Sequence, residues 1–151
     1  MLTRRTLLAA AVAAPATALI TRPAFAAKPA IYAERGIAID GSDAVAYFTQ
    51  GGPFEGSSEF ELDWMGATWR FVSAENRAMF QENPTAFAPQ YGGYCAWAVS
   101  KGGTASTAPA AWHIENNKLY LNFNRAVLGL WRRDIPGNIA AGDANWPAVL
   151  A

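Results

Sequence analysis

Cysteine and histidine are almost missing: each occurs once in 151 residues, as Cys95 and His113. A lone cysteine excludes an internal disulfide framework and any multi-cysteine zinc site. Charge is also scarce, at 16% of residues, and the 12 Lys+Arg balance 12 Asp+Glu without forming a basic cluster. Nucleic-acid binding needs a concentrated Lys/Arg face to displace counterions, so that class is excluded. Intrinsic disorder is excluded too, because a chain that is 52% hydrophobic and 13% aromatic can bury enough apolar surface to offset its conformational entropy. No apolar run reaches the ~20 residues of a membrane-spanning helix. The longest, Leu7–Ile20, contains Pro15 and Thr17.

That run is flanked in an informative order. Arg4 and Arg5 precede it, and Thr21-Arg22-Pro23 and Ala24-Phe25-Ala26 follow. A charged segment, an apolar segment and a small-x-small site make a cleavable export signal at residues 1–26, with no permanent membrane anchor. Thr3-Arg4-Arg5-Thr6-Leu7-Leu8 resembles a bacterial twin-arginine signal, with Leu7 where Phe is commoner. The resemblance implies the twin-arginine export machinery as a partner and a periplasmic or secreted location; a Sec-type signal with two arginines is the alternative. Loss of residues 1–26 from the 151 leaves 125, and loss of Arg4, Arg5 and Arg22 leaves 9 basic against 12 acidic residues. All six Trp and all five Tyr remain, enough for one core without staples.

Past the signal, no repeat or internal linker interrupts the chain, and the pattern predicts one α+β domain at residues 36–151 behind an N-terminal extension at 27–35. An antiparallel sheet of hairpins packs against several short helices. Two hairpins can be derived with register. A Met65-Gly66 loop sets Leu62 opposite Trp69, Phe60 opposite Phe71 and Glu61 opposite Arg70, so that apolar pairs share one face. An Asn116-Asn117 loop sets Ile114 opposite Leu119, Trp112 opposite Leu121, Glu115 opposite Lys118 and His113 opposite Tyr120. Asparagine tolerates the positive φ that such a loop requires. Alternation over Tyr94–Val99 predicts a further strand, with Cys95, Trp97 and Val99 on one face. Ser73 predicts the N-cap of a helix over Ala74–Glu82, with Met79 and Phe80 inward. Further helices are expected at Arg125–Arg133 and around Asn138–Ala144, and Ser42 or Asp43 caps a short turn through Tyr47 and Phe48. Interspersed strands and helices without βαβ alternation favour α+β over a doubly wound sheet.

Longer blocks carry a resemblance. Gly66-Ala67-Thr68-Trp69-Arg70-Phe71-Val72-Ser73-Ala74-Glu75-Asn76-Arg77 continues through Phe80, Asn83-Pro84 and Phe87 to Ala88-Pro89-Gln90-Tyr91-Gly92-Gly93-Tyr94-Cys95-Ala96. Together with Asp43–Phe48, Lys118–Phe123 and Asn145-Trp146-Pro147, this resembles the YHS domain in its exported bacterial subfamily, over about residues 36–149. The resemblance implies company with metal-handling proteins such as copper-transporting ATPases, which makes copper the first cofactor to consider. Where metal-associated relatives carry cysteines, this chain has Val72 and Asn76, so a thiolate cluster of that kind is absent. Some exported members of the subfamily are selenoproteins, and Cys95 is the only position here to which such chemistry could attach.

The candidate site residues follow. Cys95 is either a soft metal ligand or redox nucleophile, or a small apolar filler on a buried element. His113 is either a second metal ligand or a partly exposed strand residue. Tyr91, Gly92, Gly93, Tyr94 and Tyr120 are candidate ligand-binding residues: the tyrosines offer a ring and a polar tip, and the glycines allow close backbone approach. Lys101-Gly102-Gly103-Thr104 lacks the spacing of a phosphate loop, and Asp40-Gly41-Ser42-Asp43 lacks the ligands of a calcium loop. The expected function is a metal or small-ligand binding module centred on Cys95. The alternatives are a thiol-dependent redox enzyme using Cys95 and a protein-interaction domain with a groove near Tyr91.

Overall fold

The computed structural model describes residues 26–151, and the export signal read at residues 1–26 lies outside them apart from Ala26. The described residues form an α+β domain. Strands β1 (Ala33–Glu34), β2 (Ile37–Ala38), β3 (Ser57–Trp64) and β4 (Ala67–Phe71) make a sheet in the order β1-β2-β4-β3. Its one parallel contact is Ile37 against Thr68; the other neighbours are antiparallel. Strands β5 (Trp112–Glu115) and β6 (Lys118–Leu121) form a separate two-stranded ribbon. Helices α1 (Ala46–Thr49), α2 (Ala74–Glu82), α3 (Pro84–Phe87), α4 (Ala96–Ser100), α5 (Arg125–Trp131) and α6 (Ile135–Asn145) fill the intervals. No helix among the described residues is long and apolar enough to cross a membrane.

Near its loop the β3–β4 hairpin follows the expected register. Glu61, Leu62, Asp63 and Trp64 lie opposite Arg70, Trp69, Thr68 and Ala67, around Met65 (φ 50°) and Gly66 (φ 79°). The polar face is joined by Arg70 Nε to Glu61 Oε1 at 2.8 Å and by the Thr68 hydroxyl donating to Asp63 Oδ1 at 2.7 Å. The expected Phe60–Phe71 pair does not form: Ser57 lies opposite Phe71, across a bulge between Ser57 and Glu61. A local bond accompanies the slip: the Glu59 N–H donates to Ser57 Oγ at 3.1 Å within the bulge. Phe60 is left half-buried beneath the Arg77 guanidinium.

The β5–β6 ribbon has all four expected pairs, with Asn116 (φ 50°) and Asn117 (φ 59°) both in the left-handed conformation of a type I′ loop. Both faces of β6 are buried. Leu119 and Leu121 enter one core with Val45, Tyr47, Trp69, Phe71 and Phe80, whereas Tyr120 enters a second with Tyr91, Tyr94, Leu128 and Trp131. The ribbon is therefore the wall between two cores.

The strand expected over Tyr94–Val99 is instead helix α4, entered through a 3-10 turn at Gln90–Gly93. Six residues of small-large alternation do not distinguish period 2 from a buried helical turn, and tertiary partners decide. Asn122 Oδ1 accepts from the Trp97 N–H at 3.0 Å, which satisfies one of the open donors of a helix start. On α2, Ser73 Oγ accepts from the Asn76 N–H at 3.1 Å, as expected of its N-cap. Phe80 is fully buried, but Met79 is 40% exposed and does not point inward. Neighbouring helical positions diverge by about 100°, and Phe80 takes the inward one against Trp64, Trp69 and Phe71. Asn124 and Asp134 cap α5 and α6.

Residues 27–35, read as an extension, are bonded into the domain. The Lys28 N–H donates to the Leu150 carbonyl at 2.8 Å, the Tyr32 N–H to that of Gly92 at 2.9 Å, and the Tyr94 hydroxyl to that of Pro29 at 2.9 Å.

Of the two residues expected to cap the first turn, the structure selects Asp43, which is fully buried. Its Oδ1 accepts from the Val45 and Ala46 N–H groups at 2.8 and 3.1 Å, and its Oδ2 from the Val72 N–H and Asn76 Nδ2 at 2.9 and 2.7 Å. One carboxylate thus ties α1, the end of β4 and α2 together. Replacing it leaves four donors without a partner, so Asp43→Ala is expected to cost about 4 kcal/mol in urea unfolding; a loss under 1 kcal/mol would reduce this clamp to an ordinary cap.

All five tyrosines have their phenol pKa raised, chiefly by burial, which disfavours the phenolate; Tyr120 is pushed up to about 12. The unfolded chain ionises first, near 10.0, so this stabilisation is complete below that pH and is lost as pH rises toward 12. Unfolding free energy measured against pH, with tyrosinate absorbance followed in parallel, should fall steeply over that window. A flat profile would contradict the burial.

Candidate ligand groove

Five stretches of chain that are remote in sequence meet at the edge of both cores and form a groove of about 610 Å³. Ala30 and Ile31 enter from the N-terminal stretch, Trp64 from the end of β3 and Met65 from the β3–β4 loop. Thr85 and Ala88 through Gly92 come from α3 and the 3-10 turn, Lys118 from the start of β6, and Trp146, Pro147 and Leu150 from the chain end. The volume is that of a small-molecule site, and the walls are mainly apolar.

Two of the five predicted ligand residues, Tyr91 and Gly92, line this groove; Gly93, Tyr94 and Tyr120 stand behind it. The Tyr91 hydroxyl is already committed, donating to Asp143 Oδ1 at 2.9 Å, and its pKa is raised by burial first and by that carboxylate second. Tyr91 therefore offers a ligand its ring and not its polar tip. Gly92 was expected to allow a ligand close to the backbone. The close approach is real, but the neighbour is the chain itself: a Cβ at Gly92 (φ 61°) would overlap the Ala30 carbonyl oxygen. Gly93 accepts from the Thr107 hydroxyl at 2.8 Å. The Tyr94 ring packs on Tyr32 and Trp146, and Tyr120 lies between Tyr91 and Trp131. These residues hold the groove's floor in place without touching its space.

Trp64, Met65, Lys118, Trp146 and Pro147 were not singled out as site residues from the sequence. The only signal that could have found them is positional: Met65 lies in the loop of the first derivable hairpin and Lys118 directly follows that of the second. Nothing local shows that the two loops lie near each other.

Cys95 is 1% exposed. Its thiol lies 3.6 Å from Asn122 Oδ1, to which it donates, and its sulfur accepts the Phe123 N–H at 3.3 Å. Among the described residues no cationic side chain is hydrogen-bonded to it. The sulfur acts as a polar tie between the start of α4 and the chain leaving β6.

His113 uses both ring nitrogens. Arg132 Nε donates to Nδ1 at 3.3 Å, which assigns the proton to Nε2, 3.0 Å from Glu115 Oε2. Its ring meets Trp131 edge-on. Cys95 and His113 share no hydrogen-bond partner, and among the described residues no group of three or more His, Cys, Asp or Glu is placed to hold a metal ion.

Neither family models, nor curated proteins, nor solved structures yielded a match to this chain.

The buried thiol carries a direct test. Native protein at neutral pH should alkylate at Cys95 roughly a hundredfold more slowly than protein in denaturing urea, because a sealed thiol reacts only through opening of the fold. Rapid labelling of native protein would return Cys95 to the list of chemical candidates.

Proposed function

We propose that this protein is an exported, non-enzymatic binding module of the YHS type, whose ligand is a small, mainly apolar molecule held in the groove between the two hairpin loops. The observation that carries the reading is the groove itself: about 610 Å³, walled by Ile31, Trp64, Met65, the Tyr91 ring and Trp146. Rigid aromatic walls give contact area without large ordering costs. The twin-arginine-like signal supports export, and the long sequence blocks support the YHS assignment.

Between the two ligand classes expected from the sequence, the geometry favours the small molecule over copper. A Cu(I) site centred on Cys95 requires a reachable thiolate with a second donor. Cys95 is sealed, and His113 has both nitrogens engaged. A thiol enzyme meets the same obstacle. No cysteine is among the described residues that line the groove, and its one tyrosine hydroxyl is engaged by Asp143; binding is the activity this wall supports.

Trp64 and Trp146 lie in the wall and report occupancy by fluorescence. Titration with octanol, a neutral apolar probe, should shift tryptophan emission saturably. Met65 is 55% exposed at a loop tip, so Met65→Glu should leave the fold intact while weakening octanol binding about tenfold, through a carboxylate placed at an apolar wall. Unsaturable or Met65-independent binding would remove the groove as the site.

A further inference from the structure

Among the described residues Lys118 is the only charged one that lines the groove, and no Asp or Glu accompanies it there. In the hairpin register its cross-strand neighbour is Glu115, the partner that would ordinarily neutralise it. That carboxylate is turned instead to His113, with Oε2 3.0 Å from Nε2, and His113 is braced on its other nitrogen by Arg132. Among the described residues the one Lys or Arg side chain within 4.0 Å of a carboxylate is Arg70, paired with Glu61; the His113–Glu115 contact is a hydrogen bond. The Lys118 ammonium therefore stands at the edge of an apolar groove with no carboxylate of the described residues within 4.0 Å of it. Gln90 adds a neutral amide to the same lining.

We propose that the natural ligand is an apolar monocarboxylate, with its hydrocarbon body along Trp64, Met65, Tyr91 and Trp146 and its carboxylate received by Lys118. This deepens the binding reading above and rests on it. Charge matching selects the class: one cation in an otherwise uncharged wall neutralises one negative charge, whereas a phosphate or dicarboxylate would leave charge unpaired beside apolar surface. A neutral ligand would leave the ammonium uncompensated. The ion pair adds selectivity to affinity that comes mainly from apolar burial.

Octanoate and octanol differ mainly at the head group, so comparing them isolates that contact. With purified protein at low salt and neutral pH, octanoate should bind about fivefold more tightly than octanol, the scale of one solvent-facing ion pair. The preference should shrink as salt is raised. Lys118 is exposed, so its replacement leaves the fold intact. In Lys118→Gln the two probes should bind alike at the octanol affinity of the unaltered protein, and Lys118→Glu should favour octanol. Equal affinities in the unaltered protein, or a preference that survives Lys118→Gln, would overturn the carboxylate ligand while leaving the apolar groove in place. Failure of both probes would remove the groove reading and this one with it. An apolar peptide with a free C-terminal carboxylate that binds tighter than octanoate and depends on Lys118 would reassign the occupant to a protein tail, against the small molecule.

Discussion

The first core depends on a carboxylate that never meets water. Asp43 is fully buried and accepts four hydrogen bonds, from α1, from the end of β4 and from the Asn76 side chain on α2. Burying an ionisable group is tolerated only where its lone pairs are satisfied, and here every donor is supplied by an element that must be in place first. The carboxylate thus couples the sheet to two helices across 33 residues of chain. Apolar packing alone would hold the same elements together with less orientational definition.

A second constraint carries that order to the groove. Strand β6 is buried on both faces, with Leu119 and Leu121 in the Asp43 side of the molecule and Tyr120 in the other. A ribbon fixed on two sides has little freedom to twist, so Lys118 at its start and Tyr91 packed on Tyr120 have defined positions. The groove then forms where the loop of one hairpin meets the start of the other hairpin's second strand. The two residues with the most evident chemistry serve this scaffold. Cys95 ties α4 to the segment after β6, and His113 holds Glu115 and Arg132 against the ribbon. Holding Glu115 has a consequence at the groove, since the carboxylate opposite Lys118 is drawn away from it.

Much of the fold was legible in the chain. The register of the second hairpin follows from its Asn-Asn loop and alternating side chains, because turn chemistry and period-2 patterning are local. The Ser73 cap and the helices at α2, α5 and α6 are legible for the same reason. The expectation failed at Phe60, where a bulge shifts the register, and at Tyr94–Val99, where the Asn122 amide accepts a helix-start N–H from 25 residues away. Periodicity cannot choose between the adjacent apolar positions Met79 and Phe80, while packing against three aromatic rings can.

The site divides along the same line. Residue types and spacing alone determined the α+β class, both hairpins, the scarcity of metal ligands and the prominence of Tyr91-Gly92, since each depends on neighbours a few residues apart. Tertiary structure alone decided that Cys95 is sealed, that Gly92 presses on Ala30 and that Trp64, Lys118 and Trp146 share one wall. The physical reason is that exposure and convergence are properties of how distant segments exclude water from one another, and no local pattern encodes which segment will arrive.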